Sequence, residues 1–115
     1  MQLRYRAAGS GGRGGTLGSL LLAVNEGDRL TYVGRAGSGF TDRALTEARR
    51  MLDGLARDTP PVDDVPRTDA KGSHWVEPVL VGEVAYSEWT ASGRLRQPVW
   101  RGWRPDKDPA HVVRE

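Results

Sequence analysis

Apolar residues fall along this chain in short runs separated by glycine-rich or charged segments. Leu17 to Val24 is the densest run, and its length suits a strand buried on both faces. Asn25-Glu26-Gly27-Asp28 follows it and predicts a turn, because Asn and Gly tolerate φ > 0. Leu30 to Arg35 then reads as the return strand of a hairpin, ended by Gly34, Gly37 and Gly39. Ala44, Ala48, Met51, Leu52 and Leu55 recur at helical spacing and predict a helix over residues 42 to 56 with one buried face. Thr41 is its expected N-cap, and Asp42 places a negative charge at the positive end of the helix dipole. Arg43, Glu47, Arg50 and Asp53 fall mostly on the opposite face. Pro60-Pro61 bars any continuation, and residues 58 to 73 read as a long polar loop.

The second half is extended. Trp75 to Val76 predicts a short strand and Val79 to Trp89 a longer one, with Leu80, Val84 and Tyr86 on one face and Glu83 and Ser87 on the other. Thr90 to Gly93 turns the chain into a last strand, Leu95 to Arg104. Trp100 and Trp103 are an odd number of residues apart and cannot share one face of a regular strand, so one is expected in the core and the other exposed or at a strand end. At the start, residues 9 to 15 read as a flexible Gly-rich connection, which either joins a short first strand around Leu3 to Arg6 to the next one or leads in from an upstream domain. Three strands, a helix and two more strands predict a mainly β protein. The expected architecture is an OB-fold, a five-stranded, partly open Greek-key barrel with one α-helix.

Composition bounds what such a domain can do. A length of 115 residues leaves room for one small domain. The absence of cysteine excludes a disulfide framework, a thiol nucleophile and a Cys-based zinc site. No apolar run approaches a membrane span, and the first dozen residues lack the apolar core of a signal peptide, so a cytoplasmic location without membrane contact is expected. His74 and His111 are isolated from other ligand types, and no metal site is expected. Gly9 to Gly14 formally satisfies G-x-G-x-x-G, but a strand rather than a helix follows it, which excludes a dinucleotide loop. The net charge of +2 is unevenly spread: Arg94, Arg96, Arg101, Arg104 and Lys107 face only Asp106 between residues 94 and 107, a local +4. Residues 72 to 93 carry only Glu77, Glu83 and Glu88, a local −3. Such a basic strip suits a polyanionic partner.

That strip also carries the most specific pattern in the chain, Arg96-Gln-Pro98-Val-Trp100-Arg-Gly-Trp-Arg104-Pro-Asp106-Lys107. It resembles the last motif of the covalent nucleotidyltransferases, which in ATP-dependent DNA ligases reads Arg-x-Pro-x-Phe, three spacers, then Arg-x-Asp-Lys. Arg96, Pro98, Arg104, Asp106 and Lys107 match in identity and spacing, and Trp100 replaces the Phe. Gly15 to Leu22, Tyr32 to Thr41 and Trp75 to Trp89 are similar to the C-terminal OB domain of bacterial ligases of the end-joining type, ligase D. The resemblance covers residues 12 to 115. It implies a domain over residues 13 to 115, with residues 1 to 12 matching poorly, either as a first strand or as a segment from outside the domain.

The resemblance implies roles as well. Arg104 and Lys107 are expected to stabilise the pyrophosphate that leaves ATP when a lysine attacks its α-phosphate, with Asp106 orienting the phosphates or the neighbouring cation. Arg94, Arg96 and Arg101 are expected to bind nucleotide or DNA. ATP and a divalent metal, Mg or Mn, are the expected cofactors of the intact enzyme, with none bound by this domain itself. The expected partners are duplex DNA with a nick or break, the ligase nucleotidyltransferase domain, and Ku among those the resemblance allows. The expected setting is the bacterial cytoplasm, at the nucleoid. Neither lysine lies in the Lys-x-Asp-Gly context a ligase nucleophile needs, since Lys71 precedes Gly-Ser-His and Lys107 precedes Asp-Pro-Ala. The chain alone is therefore expected to be catalytically silent. Two alternatives stand beside this reading, a standalone OB-fold for single-stranded nucleic acid and the equivalent domain of an RNA-capping or RNA-ligating relative.

Overall fold

The computed structural model describes residues 2–11, 19–62, 65–70 and 73–113. In chain order these form β1 (Gln2–Gly11), β2 (Ser19–Glu26), β3 (Arg29–Ala36), α1 (Asp42–Asp53), β4 (Ala56–Arg57), α2 (Arg67–Ala70), β5 (His74–Val76), β6 (Val81–Ala85), β7 (Glu88–Trp89), β8 (Leu95–Arg96) and β9 (Val99–Trp103). A single 3₁₀ turn, Pro109–His111, follows. The protein is mainly β with one long helix, as an OB-fold requires.

All described strand pairings are antiparallel, and β1 organises them. Its Arg6 to Gly11 half pairs with β2, while on its other edge Gln2 to Arg6 pairs with β6 and Gly9-Ser10 with β5. The sheet runs β3-β2-β1-β5-β4, and β9 is added through β6. Gly9 to Gly11 thus belong to a strand rather than to the expected flexible connection, because their backbone groups are taken up by β2. Residues 12 to 15 of that connection, and Leu17 at the expected start of the next strand, lie outside the described residues.

The buried run in β2 divides the core. Leu20, Leu22 and Val24 join the main cluster with Val33, Leu52, Val84, Leu95 and Trp100, whereas Leu21 and Ala23 join Tyr32 and Val62 in a second cluster. A strand buried on both faces needs cover on both, and Val62 supplies part of it from the segment expected to be a polar loop. That segment also carries α2; residues 63, 64, 71 and 72 within it lie outside the described residues. The turn after β2 is shorter than expected, since Asn25 and Glu26 remain paired with Leu30 and Arg29. Asn25 is spent elsewhere: its side-chain amide donates to the carbonyls of Pro109 at 2.8 Å and Val112 at 2.9 Å, which fastens the C-terminal segment to the sheet.

The helix α1 begins as expected, with the Thr41 hydroxyl accepting the Ala44 N–H at 3.0 Å. It ends at Asp53 rather than residue 56, with Gly54 as C-cap. The Leu55 carbonyl is then taken by the Glu77 N–H at 2.8 Å, which commits the chain to β4. Ala48 and Leu52 are buried, and Ala44, Met51 and Leu55 are half-buried beside them.

The two long C-terminal strands are each broken. The segment expected over Val79 to Trp89 divides into β6 and β7, and Leu95 to Arg104 divides into β8 and β9. Gln97, with φ 54, and Pro98 separate the latter pair. Proline has no N–H for the ladder, and the positive φ of Gln97 turns the chain, so the pairing is interrupted there. The β7–β8 ribbon is closed by the Thr90 N–H donating to the Arg94 carbonyl at 2.7 Å.

Candidate functional site

The motif segment sits where β9 leaves the sheet. Between β6 and β9 the register is irregular, with Val84 opposite Trp100 but Glu83 opposite Gly102, so Arg101 is an extra residue in β9. Gly102, with φ 147, absorbs the bulge in a conformation that L side chains rarely adopt. One consequence corrects the expectation that the two tryptophans cannot share a face, although Trp103 does end its strand as expected. An inserted residue restores even spacing, and the Trp100 and Trp103 rings meet edge to face at 4.7 Å. Trp100, 4% exposed, also stacks on Phe40 at 5.3 Å. The Trp100 N–H donates to the Ser38 carbonyl at 2.8 Å, so the loop before α1 is bound to the same strand. Gly39, with φ 91, permits that approach: a Cβ there would lie 2.4 Å from the Trp100 carbonyl oxygen.

Arg104 directly follows this anchored strand. Its N–H donates to the Val81 carbonyl at 2.7 Å, and the Lys107 N–H donates back to the Arg104 carbonyl at 3.2 Å. Pro105 therefore lies in a tight turn that returns Asp106 to the Arg104 side chain. Arg104 Nε donates to Asp106 Oδ1 at 3.1 Å and Nη2 to Oδ2 at 3.0 Å, a two-pronged guanidinium–carboxylate pair. Lys107 Nζ stands 3.8 Å from the same Oδ2. The third guanidinium nitrogen is also engaged, with Nη1 donating to Glu83 Oε1 at 3.0 Å. The Arg104 hydrogen bonds hold the Asp106 carboxyl below its ordinary value of 3.8, against an opposing effect of desolvation. The hydrogen bond to Asp106 likewise raises the Arg104 pKa. Two cations and two carboxylates make this cluster neutral in sum.

The other arginines of the strip have different neighbours. Arg96 Nε pairs with Glu88 Oε1 at 3.0 Å across the β7–β8 ribbon. The Arg94 guanidinium lies over the Tyr32 ring, 5.2 Å from its centre. Arg101 makes no side-chain ion pair among the described residues. It lines a cleft of about 500 Å³ between the β9 bulge and the first turns of α1, with Thr41, Ala44 and Glu47 opposite. The local +4 of the sequence is thus much reduced in three dimensions. Glu83 and Glu88 of the acidic stretch fold back onto Arg104 and Arg96, and Glu77 lies 3.5 Å from Arg57.

Glu83 is the residue that sequence reasoning left on an ordinary outer face. Its side chain is only 21% exposed. The available signal was its place in a strand of small and apolar neighbours, where a carboxylate must be paired. Among the described residues, no group of three or more His, Asp and Glu side chains gathers in a way that could hold a metal ion. No described helix is long and apolar enough to cross a membrane.

Comparison with known proteins places these features in a family. The family model described as the ATP-dependent DNA ligase C-terminal region matches residues 13–107. The chain is 50% identical over 109 residues to the multifunctional non-homologous end joining DNA repair protein LigD of Mycobacterium tuberculosis, covering 94% of this chain and 14% of that protein. The crystal structure of the ligase domain of M. tuberculosis LigD superposes with a TM-score of 0.94 at 44% identity, over 100% of this chain and 39% of that one. A mycobacterial DNA ligase D complexed with ATP and MES gives 0.90 at 46% identity, over 100% and 38%. The chain spans about one seventh of the curated relative (14%). With the family model matching most of its residues, the chain belongs to the C-terminal regions of ATP-dependent DNA ligases.

Proposed function

We propose that this domain assists the adenylylation step of an ATP-dependent DNA ligase through Arg104, Asp106 and Lys107, and grips duplex DNA at a nick or break for end joining. One observation carries the first half: two cations are held on a four-residue turn at the end of an anchored strand, with Asp106 fixing the guanidinium by both oxygens. In adenylylation, a lysine amine attacks the α-phosphorus of ATP, a P–N bond forms, and the α–β bridging P–O bond breaks. The electron pair leaves on pyrophosphate. Fixed cations at that departing charge lower the barrier without reorganising in the transition state. A guanidinium and an ammonium suit that task differently, the first by planar paired hydrogen bonds and the second as a point charge.

The attacking lysine is assigned to a nucleotidyltransferase domain, because neither lysine of this chain stands in a Lys-x-Asp-Gly context. A divalent metal, Mg or Mn, would travel with the ATP phosphates, as the described residues offer no acidic cluster of their own. The relative named as complexed with ATP supports ATP as the nucleotide. DNA as substrate is supported by LigD relatives named for end joining, and by Arg101, whose guanidinium is not neutralised by a described carboxylate. Arg94 and Arg96 would join it only by leaving Tyr32 and Glu88. Ku is a partner this reading accommodates, in a bacterial cytoplasm at the nucleoid.

The test places this sequence as the C-terminal region of a ligase polypeptide and replaces Arg104 or Lys107 by Ala. Incubation with labelled ATP should give less covalent AMP–enzyme than the parent in the same time. Parent-like yields from both variants would contradict the adenylylation role.

A further inference from the structure

The Arg104 guanidinium is held by two carboxylates, only one of which belongs to the motif. Asp106 comes from the same turn and moves with it. Glu83 comes from β6, a central strand paired with both β1 and β9. From there, Glu83 accepts the Arg104 Nη1 hydrogen bond at 3.0 Å while Val81 of the same strand accepts the Arg104 backbone N–H at 2.7 Å. Backbone and side-chain tip of one arginine are thus fixed to one strand, two residues apart. The Glu83 carboxylate is mostly covered, and Arg104 is only 30% exposed, so the contact is far from the fully solvated pair that contributes little. Three hydrogen bonds engage Nε, Nη1 and Nη2, leaving the further N–H of each terminal nitrogen for another acceptor. A guanidinium so held has its plane set before any phosphate arrives.

We propose that Glu83 is a positioning residue for Arg104, fixing the guanidinium in the orientation from which its remaining N–H groups meet the departing phosphate. The proposal rests on the adenylylation role given to Arg104 above. Glu83 makes no contact with nucleotide itself; it acts only through Arg104. Its loss should therefore matter only while Arg104 is present. Because misplacement of about 1 Å can cost on the order of 100-fold in rate, and Asp106 still restrains the arginine, Glu83→Ala is expected to slow adenylylation by about 10-fold. Glu83→Gln keeps a carbonyl oxygen as acceptor at nearly the same place and should recover part of that loss.

The experiment uses a ligase polypeptide with this sequence as its C-terminal region, and the variants E83A, E83Q, R104A and E83A/R104A. Single-turnover formation of the AMP–enzyme is compared with sealing of a nick that already carries 5′-linked AMP. The expected result is slower adenylylation in E83A, a smaller loss in E83Q, little change in sealing, and a double variant no slower than R104A. Adenylylation as fast as the parent in E83A, or faster, would overturn the proposal; the faster result would mean that Glu83 competes with phosphate for the arginine. If E83A costs the same factor in the parent and in the R104A background, or slows both reactions equally, Glu83 belongs to folding and the proposal is also overturned. Parent-like adenylylation by R104A would instead remove the reading on which the proposal rests.

Discussion

Replacing Gly82 by Ala tests whether the packing under the motif is as tight as the geometry requires. A Cβ on Gly82 would lie 2.2 Å from Cη2 and 2.3 Å from Cζ3 of Trp100. Carbon atoms in contact prefer about 3.5–4.0 Å, so the indole would have to retreat by more than an ångström. It has little room, being 4% exposed and flanked by Phe40 at 5.3 Å and Trp103 at 4.7 Å. Overpacking of a filled core costs about 1–3 kcal/mol, and a contact this short belongs at the upper end. For a chain of 115 residues, each kcal/mol corresponds to roughly 4–5 °C in Tm. G82A should then lower Tm by about 10–15 °C. Trp100→Phe removes the benzo ring that the methyl would strike, at a cavity cost of about 1–2 kcal/mol. In that background G82A should cost less than about 1 kcal/mol, giving a coupling near 2 kcal/mol. Urea unfolding of the four proteins followed by far-UV circular dichroism measures the cycle without relying on tryptophan fluorescence. A neutral G82A, or costs additive within about 0.5 kcal/mol, would refute the packing argument.

Two further predictions concern charge. Asp106 has a folded pKa lowered from 3.8, so its contribution to stability is present above that value and is lost as pH falls through the lower folded value. The difference in Tm between the parent and D106N should be constant from about pH 5 to 7 and shrink on acidification below 3.8; a difference that grows toward low pH would contradict the assignment. DNA binding by the isolated chain should be weak, with Kd about 10⁻⁴ to 10⁻⁶ M, and its salt slope should reflect about two or three phosphate contacts rather than five. By fluorescence anisotropy on nicked duplex, R101A should reduce that slope by about one, and R96A, already paired with Glu88, by much less; equal reductions would contradict it.

Much of this fold was legible because local chemistry decided it. The uninterrupted run Leu20 to Val24 is the buried strand its length suggests, and Thr41 caps the helix as its hydroxyl suggests. The misses share a different cause, in that each depends on a partner distant in sequence. The bulge at Arg101 is set by the register between β6 and β9, and it alone brings Trp103 back to the side of Trp100. Gly9 and Gly11 lack side chains to announce a strand, yet they pair with Leu21 and Ser19 of β2. Glu83 lies 21 residues from Arg104 along the chain, and their contact appears only when the strands pair. The basic strip misleads for the same reason, since charge counted along the sequence ignores the acidic strands that fold beside it.

The central claim is that Arg104 serves the leaving pyrophosphate, and a single pair of rates tests it. In a ligase polypeptide carrying this C-terminal region, AMP–enzyme formation and sealing of a pre-adenylylated nick are measured under single-turnover conditions for the parent and R104A. Loss of one preorganised charge contact in a transition state commonly costs about 10²–10³ in rate. R104A should lose about that much in adenylylation and much less in sealing. Equal losses in the two reactions would contradict the claim, because a residue needed for the fold or for holding DNA slows both alike.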